Sequence, residues 1–177
     1  GMKTLYEGTI ILNGEQYDVI PEKSYGYADK NWGKDFTSPW VWISSCHMKS
    51  LLTGEQLPDT VFDIGGGCPV IFGIPIQRKL LSALWYEGEN IEFNFAKFWT
   101  FTKTTFDFVE KDDIVVWKVR TYNRKAMLLL ECRCPKADML KIRYQSPDGQ
   151  MRHKNLFNGG NGYGVFKLYK RYGKTYE

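Results

Sequence analysis

No apolar stretch in this chain of 177 residues approaches the roughly 20 that a membrane-spanning helix requires, so no membrane span is expected. Gly1 to Glu7 lack the apolar run and small-residue cleavage site of a secretory signal, and Gly1 ahead of Met2 reads as a tag remnant. The expected location is therefore cytoplasmic. The four cysteines, Cys46, Cys68, Cys132 and Cys134, are too few for a disulfide framework at this length. Cys132 and Cys134 point the same way on a strand, but Cys-x-Cys without a second pair is a weak half-site, so no metal and no other cofactor are expected. There are two histidines: His47 reads as a packing residue and His153, between Arg152 and Lys154, as a solvated one. Neither suggests a nucleophilic triad, and Ser44 and Ser45 lack the glycines that expose a hydrolase serine. Lys+Arg 24 against Asp+Glu 20 leaves a net charge of +4, too slight a basic excess to make a case for nucleic acid. Gly 17 and Pro 7 are ordinary numbers, which excludes collagen-like and low-complexity chains.

Aromatic residues are abundant, with Phe 11, Trp 6 and Tyr 11, and apolar residues make up 43% of the chain. That is ample material for a core, and intrinsic disorder is excluded. The length suits a single domain spanning residues 1–177.

The dominant hydrophobic period is two, punctuated by turn signals, as in an antiparallel sheet closed into a sandwich or barrel. Tyr6 to Leu12 and Glu15 to Ile20 flank Asn13-Gly14, a dipeptide suited to a type I′ turn, and should form a hairpin. Leu80, Ser82, Leu84 and Tyr86 lead into the turn Glu87 to Asn90, and Ile91, Phe93 and Phe95 lead out of it. Trp99 and Phe101 have one parity while Phe106 and Phe108 have the other, so the Thr-rich stretch Thr100 to Thr105 must bend or bulge. Val115, Trp117 and Val119 alternate with Val116, Lys118 and Arg120, as Leu128, Leu130 and Cys132 do with Leu129, Glu131 and Arg133. Asp148-Gly149 closes a hairpin that begins at Lys141 to Ser146. The last strand, Tyr163 to Tyr169, follows the glycine-rich loop Asn158 to Gly162. Roughly nine or ten strands and little helix give an all-β fold whose closure would remove exposed edges. Gly65-Gly66-Gly67 precedes Cys68-Pro69 rather than a helix, so it reads as a tight bend or bulge and not as a phosphate loop.

The most distinctive segment is Tyr25-Gly26-Tyr27-Ala28-Asp29-Lys30-Asn31-Trp32-Gly33, followed by Phe36, Pro39 and the strand Trp40-Val41-Trp42-Ile43. Ala-Asp-Lys-Asn-Trp-Gly running into an aromatic strand resembles the Glu-Lys-Asn-Trp-Gly signature of the tocopherol cyclase family, and more loosely the Asn-Trp-Gly motif of carotenoid hydratases. Gly65 to Gly67, Trp85 to Gly88, Leu129 to Arg133, Gly162 to Gly164 and Lys167 to Tyr169 are similar to further family segments, so the likeness spans about Tyr25 to Arg171. It implies an antiparallel lipocalin-like (calycin) β-barrel able to hold a long apolar ligand. Family members are similar to two lipocalin-like halves, and this chain resembles the C-terminal half. A homodimer could supply the other.

The chemistry that the resemblance implies is protonation of an isolated carbon–carbon double bond, followed by capture of the cation by a phenol or by water. That requires a carboxylic acid kept protonated by burial and aromatic faces around the cation. Asp29 stands where the motif has its acid, as the candidate general acid. Tyr25, Tyr27, Lys30, Asn31, Trp32, Trp40 and Trp42 are the candidate ligand-binding residues around it. Trp40, Trp42, Ser44 and Cys46 share one strand face, and Val41, Ile43, Ser45 and His47 the other. If the tryptophan face turns inward, the lumen is aromatic. The alternative is that Asp29 pairs with a cation, Asn31 caps a turn and Trp32 plugs one end of the barrel. Glu131 and Arg133 project from one face, either as an exposed charge patch or as an internal pair orienting a ligand's polar head.

Three functions stand open. The first is binding of a hydrophobic small molecule, isoprenoid or lipid-like. The second is a cyclase or hydratase using Asp29. The third is a structural or interaction domain with a filled core. Sequence alone leaves open whether the protein is an enzyme.

Overall fold

The alternation read from the sequence becomes strand along most of the chain: the computed structural model is all-β, with 60% strand and no helix of seven or more residues among those described. It describes residues 1–29, 40–68, 70–77, 79–151 and 153–177. The expected site residues Lys30, Asn31 and Trp32 lie outside the described residues.

Strand β1 (Thr4–Leu5) leads to the hairpin β2 (Gly8–Leu12) and β3 (Glu15–Val19). Asn13 and Gly14 take φ of 53° and 85°, the two positive values that a type I′ turn needs, and place Leu12 opposite Glu15. The chain then returns as β4 (Tyr25–Gly26), which pairs antiparallel with β1, Leu5 facing Tyr25. Next come β5 (Trp40–Ser45), β6 (Val61–Gly67), the short β7 (Val70–Ile71) and β8 (Ile74–Pro75), then β9 (Lys79–Tyr86) and β10 (Glu89–Asn94). Four of these form a sheet in the order β10-β9-β6-β5, and β7 pairs with β8. The turn between β9 and β10 is tighter than expected, Glu87 and Gly88 alone at φ of 43° and 93°. The Glu87 carboxylate earns its strained place by accepting from the Thr60 hydroxyl at 2.8 Å and the Asp59 amide at 3.2 Å.

The three glycines Gly65 to Gly67 continue β6 rather than ending it in a bend. Their use is close approach: a Cβ on Gly66, whose φ is +153°, would sit 2.1 Å from the Lys79 carbonyl oxygen.

The change of parity in the Thr-rich stretch is met by a 3-10 turn, Phe98–Thr100, and by Phe101 in the left-handed region, φ 54° and ψ 38°. Beyond it run β11 (Lys103–Lys111), β12 (Ile114–Tyr122), β13 (Ala126–Pro135), β14 (Met139–Tyr144), β15 (His153–Gly159), β16 (Tyr163–Tyr172) and β17 (Thr175–Tyr176). Five of them form a sheet ordered β11-β12-β13-β16-β17, while β14 pairs with β15 across a turn where Gly149 has φ of 81°. One sheet of the protein curls as a half-barrel.

The chain divides into two compact units, Gly1–Trp32 with Val41–Gly65 and Ser82–Glu92, and Gly33–Trp40 with Gly66–Leu81 and Phe93–Glu177. The first buries Val41, Val61, Phe62, Ile64, Leu84 and Ile91. In the second, register builds the core directly: Val115 faces Cys134, Val119 faces Leu130 and Thr121 faces Leu128, all of them buried. Gly164 lets β16 lie close against β13, since a Cβ there would be 2.5 Å from the Glu131 carbonyl oxygen.

Candidate functional site

Within β5 the aliphatic face is the one that packs: Val41 is 7% exposed, whereas Trp42 is 44% exposed. The tryptophan face therefore does not line a buried interior at Trp42; it carries a polar-edged aromatic cluster. The Trp42 indole nitrogen donates to Asp63 Oδ1 at 2.7 Å, and the Tyr27 hydroxyl donates to Asp63 Oδ2 at 3.1 Å. The two rings lie 5.1 Å apart at a tilt of 55°, a favourable arrangement for aromatic pairs. Asp29 is exposed and also faces the Tyr27 hydroxyl. Burial of the half-buried phenol first, and then the charges and hydrogen bonds of Asp63 and Asp29, push the Tyr27 pKa well above its ordinary 10.0.

Two carboxylates thus address one phenol. A phenol has one proton, and once it is given to Asp63 the Tyr27 oxygen can only accept from a second group. Asp29 is exposed, so burial does not keep its carboxyl protonated, as the acid chemistry expected from the sequence requires.

Beside this cluster in sequence, Tyr25 belongs to a recess of about 350 Å³ in the first unit, walled by Leu5, Pro21, Met48, Leu57 and Pro58. Pairing of β1 with β4 and the Leu57 amide bonded to the Met48 carbonyl at 2.9 Å hold its sides. The Tyr25 hydroxyl shares a 2.6 Å hydrogen bond with Nδ1 of His47. With Nδ1 unprotonated, the tyrosine donates and the far nitrogen of the ring carries the proton. The Lys3 ammonium, bonded to the Pro58 carbonyl, sits 4.6 Å from the centre of the Tyr25 ring. Glu22 and Gln56 also line the recess, so its wall mixes apolar and polar side chains. His47 is exposed and hydrogen-bonded here rather than packed in a core.

The structure brings together Tyr27, Asp29 and Trp42 of the expected site, and puts Tyr25 in the recess. Trp40 is half-buried at the start of β5. Glu131 and Arg133 belong to the second unit and form an exposed ion pair joined by Lys118 from the facing strand at 3.5 Å. Arg133 beside it holds the Glu131 carboxyl below the usual range. Asp63 was not anticipated from sequence; its signal is a lone acid inside the apolar run Val61-Phe62-Asp63-Ile64. Lys3 had no sequence signal at all. No group of three or more metal-binding side chains occurs among the described residues. No protein-family model, curated protein or solved structure matches the chain.

Proposed function

We propose that the protein binds a hydrophobic small molecule, isoprenoid or lipid-like, with its apolar body in the recess and its polar head at Tyr25, His47 and Lys3. The observation that carries this reading is the recess itself: about 350 Å³ falls within the range of small-molecule sites, and Leu5, Pro21, Met48, Leu57 and Pro58 offer apolar wall beside the polar side chains Lys3, Glu22, Tyr25, His47 and Gln56. The half-barrel curl of one sheet and the resemblance of Ala28 to Gly33 to the tocopherol cyclase signature support the lipocalin-like version of this proposal. A polarity-sensitive fluorescent fatty-acid probe tests it. The probe should bind, be displaced by prenylated quinols, and bind roughly threefold to tenfold more weakly to Tyr25→Phe, which removes the hydroxyl at the polar head. Absence of probe binding would contradict the proposal.

A second reading, acid catalysis of the cyclase or hydratase type, is favoured by one specific observation. Asp29, the expected general acid, faces the Tyr27 hydroxyl, and the Tyr27 and Trp42 rings lie 5.1 Å apart in the same cluster. On this reading Asp29 donates the proton, and Tyr27 and Trp42 offer their faces to the cation. Asp29→Asn should then abolish conversion of a prenylated quinol while leaving its binding intact. Equal turnover by the variant would rule this reading out.

A further inference from the structure

The Thr-rich bend carries more exposed aromatic surface than packing explains. Phe98 is 80% exposed, Trp99 58% and Phe101 57%, although all three follow one another on a single turn. Phe101 holds a left-handed conformation that is unfavourable for a bulky side chain, so the turn displays these rings at a conformational cost.

Charge at the same place has one sign. Residues 95–105 contain Lys97 and Lys103 and no acid. Lys103 pairs with Tyr122 across β11 and β12, which places the bend at the same end of the five-stranded sheet as the turn Asn123 to Lys125. That turn adds Arg124 and Lys125, both exposed. Ala126 in turn faces Lys170, bringing the end of β16 and its turn to Lys174 to this edge. These turns hold no acid; Glu177 lies at the same edge, its backbone bonded to that of Lys170.

From this juxtaposition, we propose that this end of the sheet is a docking surface for an anionic phospholipid membrane. Exposed Trp and Phe side chains partition into the interface, and clustered Lys and Arg are attracted to anionic headgroups. The ring geometry favours lipid over single-stranded nucleic acid. Phe98 and Trp99 meet edge to face at 83°, and the Arg124 guanidinium covers the Phe101 ring at 3.9 Å, so the rings form a wedge rather than open platforms for stacking bases. This inference is independent of the recess in the first unit.

The test is co-sedimentation of the full chain with vesicles of phosphatidylcholine alone and of equal parts phosphatidylcholine and phosphatidylserine, with a single-stranded oligonucleotide assayed in parallel. The protein should sediment with the mixed vesicles and roughly tenfold more weakly with phosphatidylcholine alone. The double variant Phe98→Ala, Trp99→Ala should lose roughly tenfold in vesicle affinity with an unchanged thermal melt. Brominated phosphatidylcholine in the mixed vesicles should quench the wild-type tryptophan fluorescence and quench Trp99→Ala less. No sedimentation, equal sedimentation of the double variant, or oligonucleotide binding in place of vesicle binding would each overturn the proposal.

Discussion

Trp42 and Asp63 are joined by a 2.7 Å hydrogen bond from the indole nitrogen to the carboxylate, and the same carboxylate holds the Tyr27 hydroxyl. One acid on β6 therefore fixes the orientation of two aromatic rings from different segments. Removing it with Asp63→Ala should cost about 1 to 2 kcal/mol, because two donors lose a partner but Trp42 stays close to water. Asp63→Asn keeps one acceptor oxygen and should cost less. Urea denaturation measures both, and equal stability of Asp63→Ala and wild type would show that the carboxylate does not organise the pair.

Tyr27 sets an alkaline signature. Its pKa is raised in the folded protein, so folding favours the protonated phenol; this stabilisation is complete below the ordinary value of 10.0 and is lost as pH climbs through the raised one. In a tyrosinate absorbance titration, Tyr27 should ionise late, as should Tyr17, whose pKa its hydrogen bond to Glu15 also raises, and Tyr27→Phe should remove the Tyr27 component of that late phase. A titration unchanged in shape by the substitution would contradict the burial of the hydroxyl between its carboxylates.

Close strand contacts at glycines should be intolerant of a methyl group. Gly66→Ala and Gly164→Ala each drive a Cβ into a backbone carbonyl, at 2.1 Å and 2.5 Å, and should cost more than about 2 kcal/mol. Gly14→Ala meets nothing nearby and pays only for its positive φ, about 1 kcal/mol. Thermal melts of the three variants should rank in that order of damage, and a mild Gly66→Ala would place β6 and β9 further apart than described.

The thiols of Cys132 and Cys134 are held above the ordinary 9.0, in both cases chiefly by burial. Cys134 is 1% exposed, so it should be the last of the four cysteines to react with iodoacetamide under native conditions. Peptide mapping of the alkylated protein reads the order, and early labelling of Cys134 would contradict its place in the core.

Local signals were the legible ones. Asn13-Gly14 specified its hairpin because few dipeptides accept two positive φ values, and the alternation from Val115 to Cys134 specified which residues meet in the core. Glu131 with Arg133 is the exposed charge patch that their spacing allowed. The partnership of Asp63 with Tyr27, 36 residues away, was not legible, since hydrogen bonds across a fold leave no mark in local period. The inward face of β5 was equally hidden: Trp42 and Val41 are both apolar, and only the neighbouring strand decides which is covered. Gly65 to Gly67 looked like a bend because glycine signals flexibility and close approach alike; here the approach of Lys79 decides.

The proposed ligand is the central claim, and native mass spectrometry of the freshly purified protein, followed by organic extraction, tests it most directly. The account predicts a bound isoprenoid or lipid-like molecule at fixed stoichiometry, or a bare protein that takes one up when prenylated quinols are added. A bare mass that stays bare in their presence would contradict it and leave the aromatic cluster as packing.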